Sequence, residues 1–141
     1  MERHANAVWY GDLQKGSGRI SSESGVLSKH NYSFQTRFED GPGTNPEELI
    51  AAAHAGCYAM AFSHELDQAG MTPESVEAKA TVTLAKVSGG FEIPSVHLEA
   101  VAKVPGADEA KVREIGAAAK EACPVSKVLN ARITLDLTVE V

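Results

Sequence analysis

Residues 43–60 read GTNPEELIAAAHAGCYAM, and this stretch sets the fold. Asn45 suits a helix N-cap and Pro46 the first helical position, while Glu48 falls where it completes a capping box. Glu47 and Glu48 both favour the positive end of the helix dipole. Apolar side chains then recur in steps of three, four and seven at Leu49, Ile50, Ala53, Cys57, Met60 and Ala61, which predicts one helix running to Gly70. Its many alanines and Gly56 make it thin, so another backbone can approach closely. Cys57 lies about twelve residues inside, roughly 18 Å from the helix start. The dipole acts over the first turn and does not reach it. Read alone, Cys57 is a small buried apolar residue; to be reactive it needs a cation delivered from elsewhere.

Working outward, EDGPGTN (Glu39 to Asn45) is a loop dominated by Gly and Pro. Before it, ANAVWYG, RISSES and NYSFQTRF read as strands, joined by the turn DLQKGSG and a turn near Gly25. Beyond the helix, Val76, Ala78, Ala80, Val82 and Leu84 alternate as in a half-buried strand. A Ser-Gly-Gly turn leads to Phe91, Ile93, Val96, Leu98, Ala100 and Ala102. The phase slips at Pro94–Ser95, which predicts a bulge on an edge strand. Ala107 to Ala122 form a second helix that stops near Cys123–Pro124, VSKVLN a helical turn, and ARITLDLTVEV a strand with one wet face. Strands, helix, hairpin, helix and strand make an α+β domain with a mostly antiparallel sheet.

The chain has 141 residues, a length that predicts a single domain, 1–141, with its own core. Its 43% hydrophobic and 23% charged content are those of a soluble globular protein. A net charge of −6 with scattered Lys and Arg argues against nucleic acid. No apolar run is long enough for a membrane span. The opening MERHANAVWYGDLQKG lacks the apolar core of a signal peptide, so a cytoplasmic location is expected. Two cysteines, Cys57 and Cys123, make no disulfide framework; free, redox-active and structural roles all remain open.

Other candidates are weaker. His54, Cys57 and His64 share a helical face, but ligands spread over ten residues, about 15 Å, do not meet at one metal ion. His54 as a base for a nucleophilic Cys57 suggests acyl transfer, yet no Gly-x-Cys-x-Gly elbow supports it. Arg37 and Glu47 flank the loop and read as two surface charges. Gly16-Ser17-Gly18 is a hairpin turn and not a phosphate loop.

Three longer stretches carry a resemblance. WYGDLQKGSGRISSESGVL, YSFQTRFEDGPGTNPEELIAAAHAGCYAMA and EACPVSKVLNARITLDL are together similar to the OsmC family of the OsmC/Ohr superfamily, from about Ala7 to the C-terminus. The specific part is the combination of TRFE, TNPEELIAAAHAGC and CPVSKVL. The resemblance implies an intertwined α+β homodimer with mostly antiparallel sheets packed around two central helices. It also implies a thiol-dependent peroxidase that reduces organic hydroperoxides, and hydrogen peroxide more slowly, in stress defence. Cys57 falls on the family's peroxidatic cysteine and Cys123 on its resolving cysteine. Arg37 falls on the arginine that stabilises the thiolate, and Glu47 on the carboxylate that orients that arginine. No metal, flavin or haem is implied; the reductant is an external dithiol such as a dihydrolipoyl group. An apolar lining that includes Tyr58, Met60 and Phe62 would favour alkyl or lipid hydroperoxides. The alternatives are a non-enzymatic redox-sensing or binding protein, and the Cys57/His54 hydrolase.

Overall fold

The computed structural model describes all residues, Met1–Val141, which divide into two compact units, Met1–Leu49 and Ile50–Val141. The first unit holds β1 (Ala5–Tyr10), β2 (Ser17–Ser22) and β3 (His30–Tyr32), an antiparallel sheet in chain order. Gly18 sits opposite Tyr32, and a Cβ added there would lie 2.1 Å from the tyrosine ring. The ring therefore occupies the space a side chain would need. Trp9 packs on the same ring, with centroids 5.4 Å apart.

The residues after β3 correct the sequence reading. SFQTRF is not extended: Phe34–Phe38 form a short helix, α1, behind the N-cap Ser33. Ser33 Oγ accepts from the Thr36 N–H at 3.2 Å, and Thr36 Oγ1 accepts from the Ser33 N–H at 2.8 Å. This reciprocal box satisfies two backbone donors that a three-residue edge strand would leave to water, and it overrides the strand preference of Phe and Thr.

Helix α2 (Pro46–Gln68) begins as expected, with the Glu48 N–H donating to Asn45 Oδ1 at 2.8 Å. Only half of the expected box forms. The Glu48 carboxylate instead accepts from the Thr44 hydroxyl at 2.8 Å, and Asn45 Nδ2 donates to the Thr36 carbonyl at 2.9 Å. The start of α2 is thereby tied to α1. At the other end Gly70, with φ +75°, and a bond from the Met71 N–H to the Leu66 carbonyl close the helix.

The second unit contains β4 (Ser75–Val87), β5 (Gly90–Lys103), α3 (Glu109–Ala122), α4 (Pro124–Val128) and β6 (Arg132–Glu140). The sheet order is β4-β5-β6. β4 and β5 are an antiparallel hairpin; β6 returns parallel to β5 after the crossover through α3 and α4. The predicted bulge is present. Thr83 pairs with Ser95 and Ala85 with Glu92, so Ile93 and Pro94 together oppose Leu84. The edge assignment holds for Gly90–Pro94 only. β6 pairs with β5 from Ser95 onward, which makes that part central and leaves Pro94 where β5 has one neighbour.

The core of this unit explains why α2 is held. Tyr58, Phe62 and Leu66 recur every fourth residue and are fully buried with Leu98, Ala100 and Ala102 of β5 and Val112, Ile115 and Ala119 of α3. Each large side chain contributes about 1.5–3 kcal/mol by burial. The Tyr58 hydroxyl donates to the Gly116 carbonyl at 3.2 Å, so its polar end is satisfied. A Cβ on Gly116 would come within 2.5 Å of Leu137 and 2.9 Å of Phe62, so the glycine permits the close approach of α3. No helix is long and apolar enough to cross a membrane.

Candidate active site

In the first unit α1 presents Arg37 and the first turn of α2 presents Glu47. Arg37 Nη2 donates to Glu47 Oε1 at 2.8 Å, and Nε lies 3.2 Å from both carboxylate oxygens. Glu47 is nearly buried, with 11% of its side chain exposed against 40% for Arg37. A buried carboxylate gripping two faces of a fork fixes the guanidinium plane. Nη1 is left uncommitted to Glu47. The two charges that looked unrelated in sequence are therefore one ion pair.

Arg37 also stands in the wall of a cavity of about 310 Å3, otherwise lined mainly by Trp9, Leu13, Tyr32, Phe34 and Phe38. It is the one charged side chain there. Sequence reasoning missed these aromatics and named Tyr58, Met60 and Phe62 instead. Tyr58 and Phe62 are fully buried in the core of the second unit, and Met60 is 75% exposed on α2. The core stripe and the cavity lining are different sets of residues.

In the second unit Cys57 and Cys123 come together. Cys123 is both the C-cap of α3 and the N-cap of α4, with Pro124 forcing the turn between them. Its sulfur lies 3.0 Å from that of Cys57, and both are free thiols. The two differ in access: Cys123 is fully buried and Cys57 is partly exposed. They also differ in their ease of ionisation. Burial pushes the Cys57 thiol up, and sharing a proton with Cys123 adds to this, although the Val125 backbone N–H opposes it. Burial also acts to raise Cys123. It is outweighed by hydrogen bonds from Cys57, from the Ser126 backbone and hydroxyl and from the Val125 backbone, which leave this thiol below its ordinary value.

His54 is fully buried, but its Nε2 lies 2.7 Å from Ser126 Oγ, and its Nδ1 has no hydrogen-bond partner. Neither nitrogen bonds Cys57, which removes the hydrolase arrangement. Burial holds the imidazole below its ordinary value, hence neutral at pH 7. His64 is exposed, and no group of three or more His, Cys, Asp and Glu side chains converges as metal ligands. Ser126 was missed in sequence. The one available signal was its place three residues after Cys123 in the Cys-Pro turn.

An α+β chain with a vicinal pair of free thiols on packed helices defines a dithiol redox class of protein. Residues 39–138 match the family model described as OsmC-like protein. The chain is 49% identical over 136 residues to peroxiredoxin OsmC of Escherichia coli K12, covering 96% of this chain and 95% of that protein. It is 30% identical over 122 residues to the organic hydroperoxide resistance protein OhrB of Bacillus subtilis, covering 86% and 88%. The crystal structure of that OhrB superposes with a TM-score of 0.67 over 96% of this chain and 98% of its own, at 28% identity. An OsmC-like protein of unknown function from Vibrio cholerae shares the fold with a TM-score of 0.76 over 98% and 99%, at 17% identity. The chain belongs to the OsmC-like protein family.

Proposed function

We propose that the chain is a thiol-dependent peroxidase that reduces organic hydroperoxides, acting as one domain over residues 1–141 in the cytoplasm. The observation that carries this reading is the pair of free sulfurs 3.0 Å apart, one reachable and one buried. A hydroperoxide meets Cys57 first because Cys123 has no exposed surface. The names of the relatives, a peroxiredoxin and organic hydroperoxide resistance proteins, support it.

The Cys57 thiolate attacks the distal peroxide oxygen. The O–O bond breaks, an alkoxide leaves and takes a proton to become the alcohol, and Cys57 becomes a sulfenic acid. Cys123 then attacks the sulfenic sulfur. The S–S bond forms, the S–O bond breaks, and hydroxide leaves as water after protonation. The sulfurs need to close by about 1 Å to reach bonding distance. An external dithiol, such as a dihydrolipoyl group, reduces the disulfide by exchange. No metal, flavin or haem takes part in this scheme. The family resemblance assigns the cation that Cys57 requires to Arg37, and the bond to Glu47 supports that reading by holding the guanidinium in place.

The aromatic cavity beside Arg37 matches an alkyl or aryl hydroperoxide better than hydrogen peroxide. With a dithiol reductant, cumene or tert-butyl hydroperoxide is expected to turn over at least about tenfold faster, a difference that a few buried methylenes supply. Equal or faster turnover of hydrogen peroxide would contradict the apolar-site reading. No turnover of either would favour a non-enzymatic sensor.

A homodimer belongs to the same proposal. On α2, Ala52, Ala53, Gly56 and Met60 follow one another at helical spacing and are all exposed. Nothing lies within 4 Å of the Cβ position of Gly56. An apolar, small-residue face of this kind suits a second copy of the chain. Light scattering at micromolar concentration should give about twice the 14.9 kDa monomer mass; the monomer mass would sink the assignment.

A further inference from the structure

The DLQKGSG turn, which the thiol chemistry leaves unused, ends at the cavity beside Arg37. Residues 11–16 of it join β1 to β2. Asp12 Oδ1 accepts from the Gln14 and Lys15 N–H groups at 2.9 Å each, and the Gly16 N–H donates to the Asp12 carbonyl at 2.9 Å. Gly11 takes the left-handed conformation, with φ +85°. A Cβ on Gly16 would lie 2.2 Å from the Asp12 carbonyl oxygen and 2.4 Å from that of Tyr10, so a glycine is needed to close the turn. The Trp9 indole N–H donates to the Gly11 carbonyl at 3.0 Å, which ties the turn to the cavity wall. These bonds fix the turn without help from the side chain at its tip.

That side chain is Leu13, which lines the cavity and is still 64% exposed, so it stands at the rim. Among the lining residues only Leu13 and Arg37 are exposed; Trp9, Tyr32, Phe34 and Phe38 are half-buried. A single exposed leucine is ordinary on a protein surface. This one is held at the mouth of an aromatic cavity whose other exposed group is its one cation. All of these groups lie in the first unit.

We propose that Leu13 determines specificity among hydroperoxides: it caps the organic group of an aryl or long alkyl hydroperoxide whose peroxide end is held at Arg37. This rests on the peroxidase reading above. An aryl group lies against the aromatic wall and covers the leucine. A compact tert-butyl group fills little of the 310 Å3 and leaves Leu13 in water, and hydrogen peroxide leaves the whole wall in water. Each buried methylene is worth about fourfold in affinity, so covering part of the leucine side chain contributes about tenfold.

Trp9 is the chain's one tryptophan, so its fluorescence reports on the cavity directly. In the Cys57→Ser protein, cumyl alcohol, the reduction product of cumene hydroperoxide, is expected to change that emission saturably. Leu13→Ala should weaken this binding by about tenfold, and Leu13→Met, which nearly conserves volume, should restore it. In turnover by the two-cysteine protein, Leu13→Ala should raise KM for cumene hydroperoxide by about tenfold, with a smaller change in kcat. The losses on tert-butyl hydroperoxide and hydrogen peroxide should be smaller, which narrows the preference for the aryl substrate. Unchanged cumyl alcohol binding in Leu13→Ala, or a loss shared equally by the three peroxides, overturns the proposal; the shared loss would make Leu13 a folding or subunit contact. Trp9 emission that does not respond to cumyl alcohol before Leu13 is changed overturns it too. If Leu13→Ala does not fold, Leu13→Gln, whose polar end suits an exposed turn, decides on the same readout. Wild-type protein that turns over no hydroperoxide would instead overturn the peroxidase reading, a failure that the fluorescence titration does not share.

Discussion

Cys57→Ser is expected to abolish hydroperoxide reduction, with a loss on the order of a thousandfold or more, because a serine hydroxyl is a far poorer nucleophile at neutral pH. Cys123→Ser is expected to behave differently. Cys57 remains the reachable sulfur, so one equivalent of hydroperoxide should still be consumed. The enzyme should then stop as a Cys57 sulfenic acid, labelled by a dimedone-type probe, or proceed to the sulfinic acid under excess peroxide. Wild-type protein should show an intramolecular Cys57–Cys123 disulfide and little labelling, as expected for free sulfurs 3.0 Å apart. Mass spectrometry after one equivalent distinguishes these products. If both mutants lost the first oxidation equally, Cys123 would be part of what activates Cys57. If neither lost it, the chemistry would lie on other residues.

How much of this was legible in sequence depended on the range of the interactions involved. The start of α2 was readable because N-capping is local: Asn45, Pro46 and the two glutamates are adjacent. Strands β4, β5 and β6 were readable because a half-buried sheet writes a period of two into the chain, and Pro94 marked its own bulge. Helix α1 was not. Its five residues are too few for a helical period to show, and the Ser33–Thr36 box that makes it is one local bond pair among β-preferring residues. The Arg37–Glu47 pair was invisible as a pair, since a Gly/Pro loop separates the two in sequence and that loop is folded back by non-local bonds, from Asn45 to the Thr36 carbonyl, from the Thr44 N–H to the Asn31 carbonyl and from Asn31 to the Pro42 carbonyl. The cavity draws on Trp9, Leu13, Tyr32 and Phe34, from separate segments, so no single window contains it. His54 and Ser126 lie 72 positions apart, and no periodicity links them. The resemblance supplied roles for four residues, and none for His54 or Ser126.

Arg37→Ala is the second large effect, and its size separates two ways in which a guanidinium can help. The thiol pair alone leaves Cys57 above its ordinary ionisation range, so a peroxidatic Cys57 needs a cation to reverse that burial effect. A close opposite charge commonly raises the ionised fraction of such a group by about tenfold to a thousandfold. Nucleophilicity falls as the thiolate becomes less basic, by about threefold for each tenfold gain in ionisation. Ionisation alone therefore accounts for a loss of about three- to thirtyfold in the first oxidation at neutral pH. A greater loss means that Arg37 also stabilises the departing alkoxide, the charge that develops in the transition state. Raising the pH separates the two contributions. A loss through ionisation should shrink as Cys57 ionises unaided, while a loss of leaving-group stabilisation should persist. Glu47→Ala should follow Arg37→Ala more mildly, because the guanidinium keeps its charge and loses only the 2.8 Å and 3.2 Å contacts that orient it. Glu47→Gln should fall between wild type and Glu47→Ala, since an amide still accepts but no longer pairs charge. If alkylation of Cys57 against pH is the same in wild type and Arg37→Ala, and the first oxidation rate is unchanged, the ion pair serves only to fasten α1 to α2 and the activating cation has to be sought elsewhere.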